Sequence, residues 1–356
     1  MKRIVWPLKI YGDKDLSGKI CTIPFNTVAI SIEGDVRICM CTDWMLSTVG
    51  NIYENSLQDI LVNARSTTIR QSIVDGNFRY CDETRCGVLL NSDTGLITVT
   101  QEDQLLKNLL DPANFTIPSE IWISGDMTCN LSCPSCRKSI IRETEAQQRQ
   151  NQELLDNLVQ HIFPGSSDKE ITLYMSATAE VFASSLLLGL LEKLPIDRYP
   201  NIRLSLQTNG LLAERRWSRI QHLEKNIHRI TVTIDSCTKQ SYELLRRGGK
   251  FEDMESSLEF FSKKKRELGF QYYIRSVTQQ TNCNEIEQFY DYCKQHDADR
   301  VEYCKLANWG TFTEQEFLAH DVLDNAHQQY QSTIDTFNRL KEKYNDVFFI
   351  GFASMA

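Results

Sequence analysis

Three cysteines stand at the spacing C-x3-C-x2-C in Cys129-Asn130-Leu131-Ser132-Cys133-Pro134-Ser135-Cys136. A loop this compact can offer three thiolates to three irons of a [4Fe–4S] cube and leave the fourth iron without a protein ligand. An open iron is a place for a small molecule to bind. Two other readings fit the same residues. One is half of a zinc site, although a structural zinc normally takes four protein ligands. The other is a disulfide framework, which belongs to small secreted chains, and this one has 356 residues.

A second set of cysteines lies upstream: Cys21, Cys39, Cys81 and Cys86. Cys41 follows Cys39 by two residues, so on a strand the two share a face, and Cys41 is a spare or a substitute. Between these cysteines run two alternating segments, residues 28–32 and 36–39, joined by a turn at Gly34. A helical stretch follows from Ser56 to about Ile73, with Leu57, Ile60 and Leu61 on one face. A hairpin and a helix are too few to hold a core of their own, and metal ligation would supply the missing stability. Four thiolates suit iron–sulfur or zinc, and spacing does not separate the two.

The elements that must position the C-x3-C-x2-C loop lie on either side of it. Residues 96–118 read as a connector, punctuated by Asp111-Pro112 and Ile117-Pro118. From residue 119 strands and helices alternate. Strands are expected at 120–124, 170–176, 202–207, 229–235, 270–277 and 300–306, with helices near 143–163, 183–194, 212–225, 250–268 and 284–296. Such alternation predicts a parallel sheet. The strands are not continuous apolar runs: Ile202, Leu204 and Leu206 oppose Arg203, Ser205 and Gln207, and Ile230, Val232 and Ile234 oppose Thr231, Thr233 and Asp235. Helices must cover the apolar face, so the polar face lines something wet or ligand-filled. The expected fold is α/β: a partial (β/α)6 parallel barrel preceded by a small cysteine-rich β-hairpin/helix domain. The expected divisions are 1–95, a connector at 96–118, the barrel at 119–310 and a helical segment at 311–356. Ligands in such folds bind at the C-terminal strand ends, where the cysteine loop sits.

Composition narrows the function further. The net charge of −8 argues against a phosphate-tracking surface, so no nucleic-acid partner is expected. The basic run Lys263-Lys264-Lys265-Arg266 falls in a helical pattern and reads as a solvated face. No apolar run approaches a membrane span, and no apolar segment follows Met1-Lys2-Arg3, so neither a membrane partner nor a signal peptide is expected and the expected location is cytoplasmic. Cys237, Cys283, Cys293 and Cys304 read as small buried residues, and the six histidines show no metal spacing.

The cysteine loop after the first barrel strand resembles that of the radical S-adenosylmethionine (SAM) superfamily. Further words match in order: Tyr174 to Glu180 in the place of the family's glycine-rich motif, Gln207-Thr208-Asn209-Gly210, Thr231 to Asp235 followed by Tyr242 and Arg246-Arg247-Gly248-Gly249, and Val301 to Leu306 with Asn308-Trp309-Gly310. The upstream block resembles a SPASM or twitch auxiliary-cluster domain, although such domains usually follow the barrel. The resemblance implies that Cys129, Cys133 and Cys136 bind a [4Fe–4S] cluster, and that Cys21, Cys39, Cys81 and Cys86 bind an auxiliary Fe–S cluster. It also implies that Ser176, Glu180, Asn209, Thr233, Asp235 and Leu306 line a SAM pocket; no residue is assigned as catalytic. The implied reaction is reductive cleavage of SAM to a 5′-deoxyadenosyl radical that abstracts a substrate hydrogen. Implied partners are a peptide or small-molecule substrate and an electron donor such as flavodoxin or ferredoxin. The motif departs from the family where Ala177, Ala179 and Val181 replace its glycines and proline. A non-catalytic iron–sulfur or zinc module, or radical modification of a sugar or other small molecule, are the alternatives.

Overall fold

The computed structural model describes residues 16, 18–31, 33–40, 47–82, 86–90, 96–99, 111, 117–124, 126–175 and 178–351. Cys41, Ser176 and Ala177 therefore lie outside the described residues. The chain divides into two compact units, Met1–Ser124 with Glu153–Tyr174 and Lys193–Arg203, and Gly125–Gln152 with Met175–Glu192 and Leu204–Ala356.

In the first unit the strands are β1 (Lys19–Ile20), β2 (Thr27–Ile30), β3 (Asp35–Arg37), β4 (Gly50–Asn51), β5 (Ile97–Thr98), β6 (Glu120–Ile123) and β7 (Ile171–Met175). β1 and β5 form a small antiparallel pair. The others follow the order β7-β6-β2-β3-β4. β2, β3 and β4 are antiparallel, as the turn at Gly34 predicts. Gly34 has φ +81°, and a Cβ there would stand 2.4 Å from the Tyr53 ring, so glycine is required twice over. β2 also pairs parallel with β6, Thr27 against Glu120 and Ile30 against Ile123. That pairing joins the cysteine-rich block to strand residues assigned by sequence to the barrel, which is why the compact units cut the chain differently from the expected divisions.

The single helix expected from Ser56 onward is two, Leu57–Val62 and Ala64–Val74. Asn63 causes the break. Its backbone is extended, and its side chain accepts from the amides of Arg65 and Ser66, capping the second helix.

The second unit holds β8 (Ile202–Thr208, from Leu204 onward), β9 (Ile227–Thr233), β10 (Gln271–Thr278), β11 (Arg300–Lys305) and β12 (Val347–Ile350), in that order and all parallel. Helices Ser185–Glu192, Phe251–Leu268 and Ile286–Gln295 fall where the alternation places them. The strands bury Leu204, Leu206, Ile230, Val232, Tyr272, Ile274, Val301 and Tyr303, and Tyr272 and Tyr303 pack against Phe261 and Phe289 of the helices. The opposite face is polar, as expected. Arg229 donates to Ser205 at 2.9 Å, and Arg275 donates to Gln207 and Glu302, both at 2.8 Å.

β12 corrects the expectation that residues 311–356 are helical. Helices Glu314–His320 and Tyr330–Lys343 are present, but Val347–Ile350 pairs with β11. Phe349 packs against Tyr303 and Phe337. Four apolar residues in a row carry no period, and the neighbouring strand decides their conformation.

Candidate functional site

The cysteine loop belongs to the second unit, and its backbone is fixed from outside. Cys129 N donates to Ile141 O at 2.9 Å, and Thr128 N donates to Asp126 Oδ1 at 2.8 Å. Cys133 O accepts from the amides of Cys136 and Arg137, closing a tight turn. The segment after β9 straps the loop. Ser132 N donates to Arg247 O at 2.9 Å, while the Arg247 guanidinium donates to Ser132 Oγ at 3.1 Å and to Lys138 O at 3.0 Å.

Each sulfur of the loop has N–H donors on it. Leu131 N lies 3.4 Å and Asn209 Nδ2 3.8 Å from Cys129 Sγ. Arg246 Nη1 lies 3.8 Å from Cys133 Sγ, and Arg137 Nη2 3.3 Å from Cys136 Sγ. Burial pushes the Cys129 thiol up to about 11 and raises that of Cys133, with Arg246 opposing the latter shift. Metal binding at these two thiols must displace their protons. Among the described residues no three His, Cys, Asp or Glu side chains converge closely enough to hold one metal ion. A cube asks for something else, thiolates standing around it on different irons. Sulfurs with N–H donors, two of them guanidinium, fit an anionic cluster.

The residues expected in a SAM pocket sit at the strand ends around this loop. Asn209 is buried just past β8. Its Nδ2 also donates to Asn130 Oδ1 at 2.9 Å, and its Oδ1 accepts from Leu211 N. Next to it Gly210 has φ +85°, and a Cβ there would stand 2.4 Å from Ser257 Oγ. Asp235 also adopts left-handed backbone, φ +67°. Its carbonyl accepts from Ser276 Oγ and Asn282 Nδ2, its Oδ1 accepts from Val277 N, and its Oδ2 pairs with Arg246 Nε at 2.8 Å. Burial opposes the charge on Arg246, and the Asp235 carboxylate beside it pulls the other way, raising its proton affinity. Thr233 Oγ1 and Thr278 Oγ1 are buried hydroxyls without a hydrogen-bond partner among the described residues. Leu306 is buried one residue past β11.

Glu180, expected to line the SAM pocket, has its carboxylate engaged by neighbouring donors. It is 3 % exposed, and its oxygens accept from Thr208 Oγ1 (2.5 Å), Asn209 N (2.7 Å) and Phe182 N (3.2 Å). Its own amide donates to Thr128 O at 2.8 Å. Burial raises its carboxyl, and those three donors pull the other way.

Sequence reasoning missed the guanidiniums. Arg137 follows the last cysteine directly. It is 7 % exposed and donates to Met127 O (2.6 Å) and Thr178 O (2.7 Å) as well as to Cys136. Position next to the third thiol was the only available signal; Arg246 and Arg247 were visible as part of a matching word but without a role.

In the first unit Cys21, Cys81 and Cys86 share one apolar cluster with Leu16, Ile20, Phe25, Ile73, Phe78 and Leu89. Cys39 is buried beyond β3 and is not a member of that cluster. The donor set is all thiol, which suits iron–sulfur or zinc.

Residues 21–87 match the family model SPASM, an iron-sulfur cluster-binding domain. The match covers Cys21, Cys39, Cys81 and Cys86 and places the domain ahead of the β/α alternation. A search of curated proteins found no match. Among solved structures, SuiB of Streptococcus suis bound to precursor peptide SuiA is 14 % identical, with TM-score 0.42, covering 81 % of this chain and 62 % of that one. anSMEcpe with bound AdoMet and Cp18Cys peptide is 20 % identical, with TM-score 0.43, covering 65 % of this chain and 62 % of that one. Methylornithine synthase (PylB) is 10 % identical, with TM-score 0.35, covering 67 % and 72 %. The chain thus spans about three fifths of the length of SuiB and anSMEcpe.

Proposed function

We propose that this chain is a radical SAM enzyme with an N-terminal SPASM domain. One observation carries the reading: in the C-x3-C-x2-C loop the sulfurs of Cys129, Cys133 and Cys136 all receive N–H donors, beside polar strand ends. When bound there, a reduced [4Fe–4S] cluster supplies the electron that breaks a carbon–sulfur bond of SAM, giving methionine and a 5′-deoxyadenosyl radical. Cys129, Cys133 and Cys136 hold the cluster, and Cys21, Cys39, Cys81 and Cys86 hold the auxiliary one. Thr233 has an unused buried hydroxyl to offer SAM, with Asn209, Asp235, Leu306 and Ser176 completing the pocket. Glu180 serves it through Asn209. Peptide modification ranks first among substrates, by resemblance to SPASM-bearing enzymes; a flavodoxin or ferredoxin supplies electrons. No helix among the described residues is long and apolar enough to cross a membrane.

The engagement of Glu180 by three donors favours one second reading, a cluster-binding module that does not cleave SAM. Anaerobic reconstitution, reduction with dithionite and addition of SAM separate the two. The enzyme reading expects slow formation of 5′-deoxyadenosine without substrate. A fully loaded, reduced protein that forms none, and whose electron paramagnetic resonance ignores SAM, leaves the binding module standing.

A further inference from the structure

Arg137 is a buried cation with an unusual set of partners. Its guanidinium donates to two main-chain carbonyls, Met127 O and Thr178 O, and to Cys136 Sγ. No carboxylate pairs with it among the described residues, whereas Arg246 has Asp235 at 2.8 Å. Arg137 is 7 % exposed, so water does little to screen its charge. Of the partners its guanidinium touches, Cys136 Sγ is the one that can carry a negative charge. An isolated buried charge is costly enough that proteins pair it or neutralise it. A thiolate on iron supplies that negative charge.

The geometry points to Arg137 as the counter-ion of the three-thiolate cluster and a setter of its reduction potential, a positioning role that rests on the cluster assignment above. Hydrogen bonds to ligand sulfurs and nearby charge are among the factors that set such potentials. A fixed positive charge favours the cluster that has gained an electron, so Arg137 raises the potential. The same nitrogen that donates to Cys136 carries the effect further. Thr178 lies in the altered glycine-rich segment, and the bond to Thr178 O ties that segment to the third cysteine.

The test follows the electron paramagnetic resonance signal that disappears in Cys129→Ala, titrated against potential in the full-length, iron-loaded chain. Arg137→Gln keeps an N–H donor and loses the charge; Arg137→Lys keeps the charge. The expected result is at least a tenfold drop in the reduced-to-oxidised ratio at fixed potential for Arg137→Gln, equivalent to ~59 mV for one electron, with Arg137→Lys shifted by less than a third of that. Loss of the cluster from Arg137→Gln but not from Arg137→Lys supports the same conclusion. Equal potentials in wild type and Arg137→Gln, equal shifts in both variants, or loss of the cluster from both overturn it. A wild-type protein with no signal dependent on Cys129 fails the cluster assignment instead, and the two failures are distinct.

Discussion

Replacing Cys129, Cys133 and Cys136 together by alanine is expected to remove about half of the iron, from about eight to about four per chain, if both sites hold [4Fe–4S] cubes. The loop provides every thiolate of its site, and no other cysteine of the second unit lies among its sulfur contacts. Cys21, Cys81 and Cys86 sit in an apolar cluster of the first unit, Cys39 is buried outside it, and the iron expected there should stay. On the proposed enzyme reading, SAM cleavage is expected to fall to background in the same variant, because the iron with an open position would be gone. Iron and zinc analysis of matched preparations reads the outcome. A wild type near four irons, with zinc making up the difference, removes the auxiliary cluster from the account. Unchanged iron in the variant removes the other.

The second large effect is at Glu180. Glu180→Ala is expected to destabilise the second unit by at least about 3 kcal/mol, since three buried donors each lose an acceptor at about 1–3 kcal/mol apiece. The cost of burying the carboxylate offsets part of this. The damage reaches the cluster site, because Glu180 Oε2 positions Asn209 N and Asn209 in turn contacts Asn130 and Cys129. Glu180→Gln keeps one acceptor oxygen and should fall between. Denaturant midpoints and iron content measure both variants. If Glu180→Ala is as stable and as iron-rich as wild type but binds SAM tenfold more weakly, the carboxylate acts on the ligand directly and not through Asn209.

Glu180 also marks where the sequence stopped being informative. Its place in the order of matching words was legible, but a side chain's partners depend on how separate strand ends meet, and Thr208, Asn209 and Phe182 are distant in the chain or silent in pattern. The alternating strands were legible because a sheet with one apolar and one polar face writes a period of two into every strand. The cysteine loop was legible because its ligands are local. β12 was not, since four apolar residues take their conformation from β11. The break at Asn63 could have been read from an asparagine capable of capping, inside an otherwise helical pattern. Arg137 had no period and no partner of opposite charge in sequence; its role is visible only once its surroundings are.

The bonds that strap the cysteine loop run from Arg247 to the main chain and hydroxyl of Ser132 and to the carbonyls of Arg137 and Lys138, and none of these passes through a sulfur. These straps do not depend on the iron, so the loop is expected to keep its shape when the iron is removed and to take it back without refolding. Hydrogen exchange at the Ser132 amide should be equally slow before and after reloading, and fast exchange in the stripped protein would show that the iron itself holds the socket open.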